Sequence, residues 1–147
     1  SAMAEPDETR STAWPILTAL AIVGFALIAF ILVRLAQSDV LPNEADIGRA
    51  VVGQNDALQR EDYADFQSFT CIAQQGTESQ VLADQRQSSA AKGARIVDNV
   101  TRFAVTGDQA TAEVVYHFEK STDAAVSVPM TFIRENGEWK VCSPGPR

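Results

Sequence analysis

The amino-acid sequence predicts an α+β protein: a single N-terminal transmembrane helix, then a domain of about three helices followed by about four antiparallel strands. Three observations carry this reading. Residues 11–33, STAWPILTALAIVGFALIAFILV, contain no charge. Apolar residues then recur at helical spacing as far as Lys92, and from Ala94 the period changes to two. Two turn signals, Gly107-Asp108 and Asn136-Gly137, punctuate the period-two part.

The uncharged stretch is expected to form a membrane anchor over residues 11–34. As a helix, residues 11–33 reach about 35 Å, against a hydrocarbon core of about 30 Å. Arg34 follows the apolar run directly and no small-residue cleavage site intervenes, which favours a retained anchor over a cleaved signal peptide. Trp14 stands near one end, where an indole prefers the interface. Thr18, Ala21 and Gly24 form a small-residue patch that would allow close helix packing, the alternative being small residues that face lipid by chance. Ahead of the anchor, residues 1–10 are short and acidic and are expected to be a disordered cytoplasmic tail. Ser1-Ala2 before Met3 reads as a cloning remnant. Residues 35–42, with Pro42, are expected to be a linker to a domain spanning 43–147.

Lysine and arginine say little about orientation, with Arg10 before the anchor and Arg34 and Arg49 after it. The two cysteines say more. Cys71 and Cys142 are the only ones in the chain. A bridge between them would close a loop of about 70 residues, a constraint of roughly 4 kcal/mol in the chain-entropy model. Structural disulfides persist in oxidising compartments, so the expectation is an N-terminus in the cytoplasm and an extracytoplasmic domain on a single-pass cell-membrane protein. Two buried free thiols are the alternative. Two cysteines and one distant histidine lack metal-ligand spacing, and neither a metal nor a cofactor is expected.

Within the domain, residues 43–60 read as a helix with Ile47, Val51 and Leu58 near one face, weakened by Gly48 and Gly53. A short helix is expected over 61–71, with Tyr63, Phe66 and Cys71 turned inward. Thr77 with Gln80 fits a capping box and Lys92-Gly93 a helix end. That third helix is rich in Gln, Ser and Ala, so one face should be solvated. The first strand places Val97, Thr101, Phe103 and Val105 on one face but Ile96 and Val100 on the other, which suggests a bulge or burial on both sides. The second alternates cleanly, with Ala110, Ala112, Val114, Tyr116 and Phe118 together. KSTDA turns the chain into a third strand at about 125–135 carrying Val126, Val128, Met130 and Phe132. A two-residue loop at Asn136-Gly137 would set Phe132 opposite Val141 and Arg134 opposite Trp139.

REDYADFQSFTC, then VTGDQATAEVVYHFE, then FIRENGEWKVC, in this order after an anchor helix, resembles the nuclear transport factor 2-like domains, the cystatin-like α+β cone. In particular it is similar to membrane-anchored versions from actinobacterial cell envelopes, including the Mce-associated and lumazine-binding-like proteins. The resemblance covers about residues 43–142. It implies a cone of about three helices packed on a curved sheet. It does not imply one function, because that fold hosts enzymes, ligand binders and interaction modules.

Enzymes of the cone need a tuned carboxylate or His–Asp pair. The one histidine, His117, shares its strand face with Glu113, Val115 and Glu119 and reads as a solvated strand residue. No catalytic residue is assigned, and a non-enzymatic role is expected, with an isomerase or dehydratase as the weaker alternative. Residues 34–147 carry 11 Lys and Arg against 16 Asp and Glu. That balance disfavours nucleic acid and tight contact with anionic headgroups. The leading expectation is an accessory subunit of a cell-envelope complex, for transport or envelope biogenesis, docking through its helix in the bilayer and through its cone. The alternative is a lipid or small apolar ligand held in the cone, with Tyr63, Val114, Tyr116, Phe118, Val128, Met130 and Phe132 as candidate lining. A packed core would use the same residues.

Overall fold

The computed structural model describes residues 5–38 and 40–144, with side chains over 15–33 and 43–144. Helix α1 is Glu5–Ser38. Its stretch Pro15–Val33 has a mean hydropathy of 3.0 and buries nothing, so it is long and apolar enough to cross a membrane. Of the expected disordered tail, residues 1–4 lie outside the described residues and 5–10 are helical. Pro6 and the acids Asp7 and Glu8 are residues that a helix N-terminus accepts.

The rest of the chain is a separate compact unit, residues 41–147. Helix α2, Val40–Gln59, opens earlier than the sequence suggests, so the expected linker is helical on both sides of Asp39. Pro42 permits this because it lies in the first turn, where backbone N–H groups have no intrahelical partner. Ile47, Ala50, Val51, Gln54 and Ala57 form the buried stripe of α2. Gly53 belongs to the packing: a Cβ there would fall 2.5 Å from the Phe69 ring, whereas one at Gly48 would meet nothing within 4 Å.

Helix α3, Tyr63–Phe69, is capped by Asp62, whose carboxylate accepts from the Asp65 N–H at 3.0 Å. Arg60 ties this turn together through Asp56, Asp62 and Asp65. A 3-10 turn follows at Ile72–Gln74. Helix α4, Glu78–Lys92, begins at Thr77, whose hydroxyl accepts from the Gln80 N–H, and ends at Gly93 with φ of 80°, as the sequence signals indicate. Only Gln85 of α4 is buried.

Strands β1 (Arg95–Thr106), β2 (Gln109–Phe118), β3 (Ser121–Glu135) and β4 (Glu138–Val141) form one antiparallel sheet in sequential order. Asn136 and Gly137 both have positive φ, as a type I′ turn requires, and the register is the expected one: Phe132 faces Val141 and Arg134 faces Trp139. β3 starts at Ser121 rather than near 125, because pairing with β2 reaches back to Phe118↔Ser121. β1 carries two register shifts, at Val97/Asn99 and Thr101/Ala104, which explains its mixed faces. Ile47, Ala50 and Val51 pack on Ala110, Ala112, Val114, Tyr116, Phe118, Met130, Phe132, Trp139 and Val141 to make the core.

Candidate ligand cavity

Helix α4 has the fewest large apolar side chains of the helices in this unit, and this leaves space. Its positions that border this space step from Val81 through Gln85 and Ser88 to Ala91 and Lys92. Serine and alanine are too short to fill the gap to α2 and α3. The result is a cavity of about 440 Å³, within the range of roughly 300–1,000 Å³ usual for small-molecule sites. Gln54 and Leu58 of α2, Phe66 of α3, Thr70 and Gln74 complete the helical side. Arg95 at the start of β1, with Ser143 and Pro144 after β4, borders the rest.

Gln54, Thr70, Gln85 and Arg95 are the four buried polar or charged residues among those described, and all four line this cavity. Their hydrogen bonds form two groups. Gln54 Nε2 donates to Thr70 Oγ1 at 2.8 Å, and that hydroxyl donates to the Phe66 carbonyl at 2.7 Å. Arg95 Nε donates to Asn55 Oδ1 at 2.9 Å, Asn55 Nδ2 donates to the Arg95 carbonyl at 3.0 Å, and Arg95 Nη2 reaches Gln85 Oε1 at 3.5 Å. Burial pushes the Arg95 guanidinium below its ordinary pKa, opposed by the neighbouring Tyr116 phenol. Burial raises the Tyr116 pKa, opposed by Arg95.

Cys71 and Cys142 are joined, with Cα atoms 5.2 Å apart. The residues beside them, Thr70 and Ser143, both border the cavity. Tyr63 stacks on Phe66 with ring centroids 5.8 Å apart and donates its hydroxyl to the Gly76 carbonyl. It lies outside the cavity lining. So do Val114, Tyr116, Phe118, Met130 and Phe132, which are buried in the core, and Val128, which packs against it. These faces of β2 and β3 meet Ile47, Ala50 and Val51, which leave no room. Val114 and Met130 border only a crevice of about 10 Å³. Thr18, Ala21 and Gly24 sit on α1, where a Cβ at Gly24 would meet nothing within 4 Å.

Nothing in the local sequence patterns marks Gln54, Gln85 and Arg95 as a group. The available signal was Gln54, a polar residue on the apolar stripe of α2, seven positions after Ile47. His117 has a partner that its own strand does not reveal: Nδ1 lies 2.8 Å from Asp98 Oδ2. Asp98 sits at the first register shift of β1, across from His117 and outside the cavity lining. Among the described residues no three His, Cys, Asp or Glu side chains gather to hold a metal.

No family model matches this chain, and no curated protein matches it. Solved structures do. A candidate nuclear transport factor 2-like transpeptidase from Campylobacter jejuni is 13% identical with a TM-score of 0.44, over 62% of this chain and 92% of that one. A candidate dehydratase of the same family from Streptomyces avermitilis is 18% identical with a TM-score of 0.47, over 72% and 92%. A nuclear transport factor 2-like protein of unknown function from Shewanella oneidensis MR-1 is 12% identical with a TM-score of 0.47, over 67% and 93%. Identities and TM-scores this low carry no argument about this chain, and no activity passes to it from these proteins.

Proposed function

We propose that the chain is a membrane-tethered, nuclear transport factor 2-like cone that binds a small ligand in the cavity bordered by α2, α3 and α4. The observation that carries this is the convergence of all four described buried polar residues on one cavity of ligand size. It moves ligand binding ahead of the docking-only accessory role expected from the sequence, and it moves the ligand away from the apolar face of the sheet. The reading is one of binding without chemistry, because the His117–Asp98 pair lies outside the lining.

The test is a cavity-filling substitution. Ser88 is half-buried on α4 and borders the cavity. Full-length protein extracted from native membranes is expected to release a small molecule that mass spectrometry detects. S88W is expected to release little of it at an unchanged melting temperature. Equal release from both proteins, or none from either, would overturn the reading.

On this reading the apolar helix would tether the domain to a membrane, and the bridged cysteines favour an extracytoplasmic location with the N-terminus inside. A reporter enzyme that works only outside the cytoplasm, fused after residue 147, is expected to be active. Activity of a cytoplasm-only reporter at the same position would sink this orientation.

A further inference from the structure

We infer that the ligand is an uncharged molecule with an apolar body and a hydroxyl group that donates to Gln54 Oε1. This rests on the ligand-binding reading and adds the chemistry of the ligand to it.

Gln54 is 6% exposed and borders the cavity from α2. Thr70 holds its amide in one orientation. The Thr70 hydroxyl has a single hydrogen, which goes to the Phe66 carbonyl at 2.7 Å. Toward Gln54 that hydroxyl can therefore only accept, so the amide atom 2.8 Å away is the nitrogen, Nε2. Oε1 is thereby fixed on the other arm of the amide.

Among the described residues nothing donates to Gln54 Oε1. Every fully enclosed side-chain nitrogen or oxygen among them has a hydrogen-bond partner. An oxygen without one keeps open surface, and Gln54 borders two spaces that can supply it. One is the crevice of about 10 Å³, room for a single water. The other is the ligand-sized cavity. An acceptor on so buried a residue costs free energy unless something donates to it.

This oxygen selects the head group of a ligand. An ionised carboxylate or phosphate would set acceptor against acceptor. Arg95 does not change this, being engaged in the wall by Asn55 and Gln85. A cation would need a buried acid beside it. Asp84, the one acid in the described lining, is exposed and accepts from Gln80 Nε2 at 3.0 Å. A hydroxyl supplies the donor with the least polar surface to dehydrate. Leu58, Phe66 and Val81 give its apolar body a matching wall.

The test uses full-length protein in phosphatidylcholine nanodiscs, with binding scored above that of empty nanodiscs. Four probes share one body: 2-naphthol, 2-fluoronaphthalene, 2-naphthoate and 2-naphthylmethylammonium. Fluorine is close to a hydroxyl in size but cannot donate. Naphthol is expected to bind about tenfold more tightly than fluoronaphthalene, the difference that one neutral hydrogen bond makes. Q54L is expected to bring these two to equal affinity by weakening naphthol alone. T70V keeps Gln54 but frees its amide to turn, and is expected to narrow the gap, so the test stays informative if Q54L fails to fold. Equal binding of naphthol and fluoronaphthalene to the wild type, both blocked by S88W, would overturn the inference and leave the ligand cavity standing. Tighter binding of the naphthoate or the ammonium than of naphthol would overturn the uncharged assignment. Binding of no probe would overturn the ligand-site reading together with it.

Discussion

Replacing either Cys71 or Cys142 with serine is expected to lower the unfolding free energy by about 2–5 kcal/mol. The bridge spans a sequence separation of 71 residues, so in its absence the unfolded chain regains a long loop's freedom. The native contacts beside it are independent of the sulfur atoms. The Cys71 N–H donates to the Val141 carbonyl at 2.9 Å, and the Cys142 N–H to the Thr131 carbonyl at 2.8 Å. The fold should therefore survive, with the loss appearing as a lower denaturant midpoint. Reductant should bring the wild-type protein to the same midpoint, and the double serine variant should be little worse than either single one. A wild-type midpoint unmoved by reductant would show that the bridge is absent or carries no stability.

F132A is expected to cost about 3–5 kcal/mol, as large-to-small changes at filled core sites do. Phe132 is 1% exposed, pairs with Ala110 on one side and Val141 on the other, and so lies inside the sheet rather than at an edge. The size of this loss separates packing from pocket. Were Phe132 the wall of a ligand site, truncation would enlarge existing space at small cost. V126A on the same strand is the control, since Val126 is 39% exposed and surface changes usually stay within about 0.5 kcal/mol. Chemical denaturation of both variants gives the comparison, and similar small losses would remove Phe132 from the core.

Local chemistry was legible in the sequence wherever one short segment decides the structure. Asn136-Gly137 sets the β3–β4 register because both residues accept the positive φ of a type I′ turn, whose twist matches that of the strands. Thr77 and Gly93 mark α4 because caps satisfy terminal backbone groups. The cavity was not legible, because it depends on what distant segments fail to fill. Arg95 and Asn55 are 40 positions apart, and Gln54 and Thr70 are 16 apart. The His117–Asp98 pair escaped for a related reason: spacing along β2 cannot reveal a residue that a bulge in β1 brings alongside. Gly53 reads as a weak point in a helix, yet its missing side chain makes room for Phe69.

Asn43 lies near the start of α2. Its side-chain oxygen accepts from Arg134 Nη2 at 2.9 Å and from Trp139 Nε1 at 3.2 Å. Trp139 stands on β4, and β4 leads directly to Cys142, which is bonded to Cys71 beside α3. A pull on the chain ahead of α2 would thus enter this unit at a point clamped to its last hairpin. That hairpin is riveted covalently to the helical side. The load would be shared between the two ends of this unit's sequence instead of peeling α2 away alone.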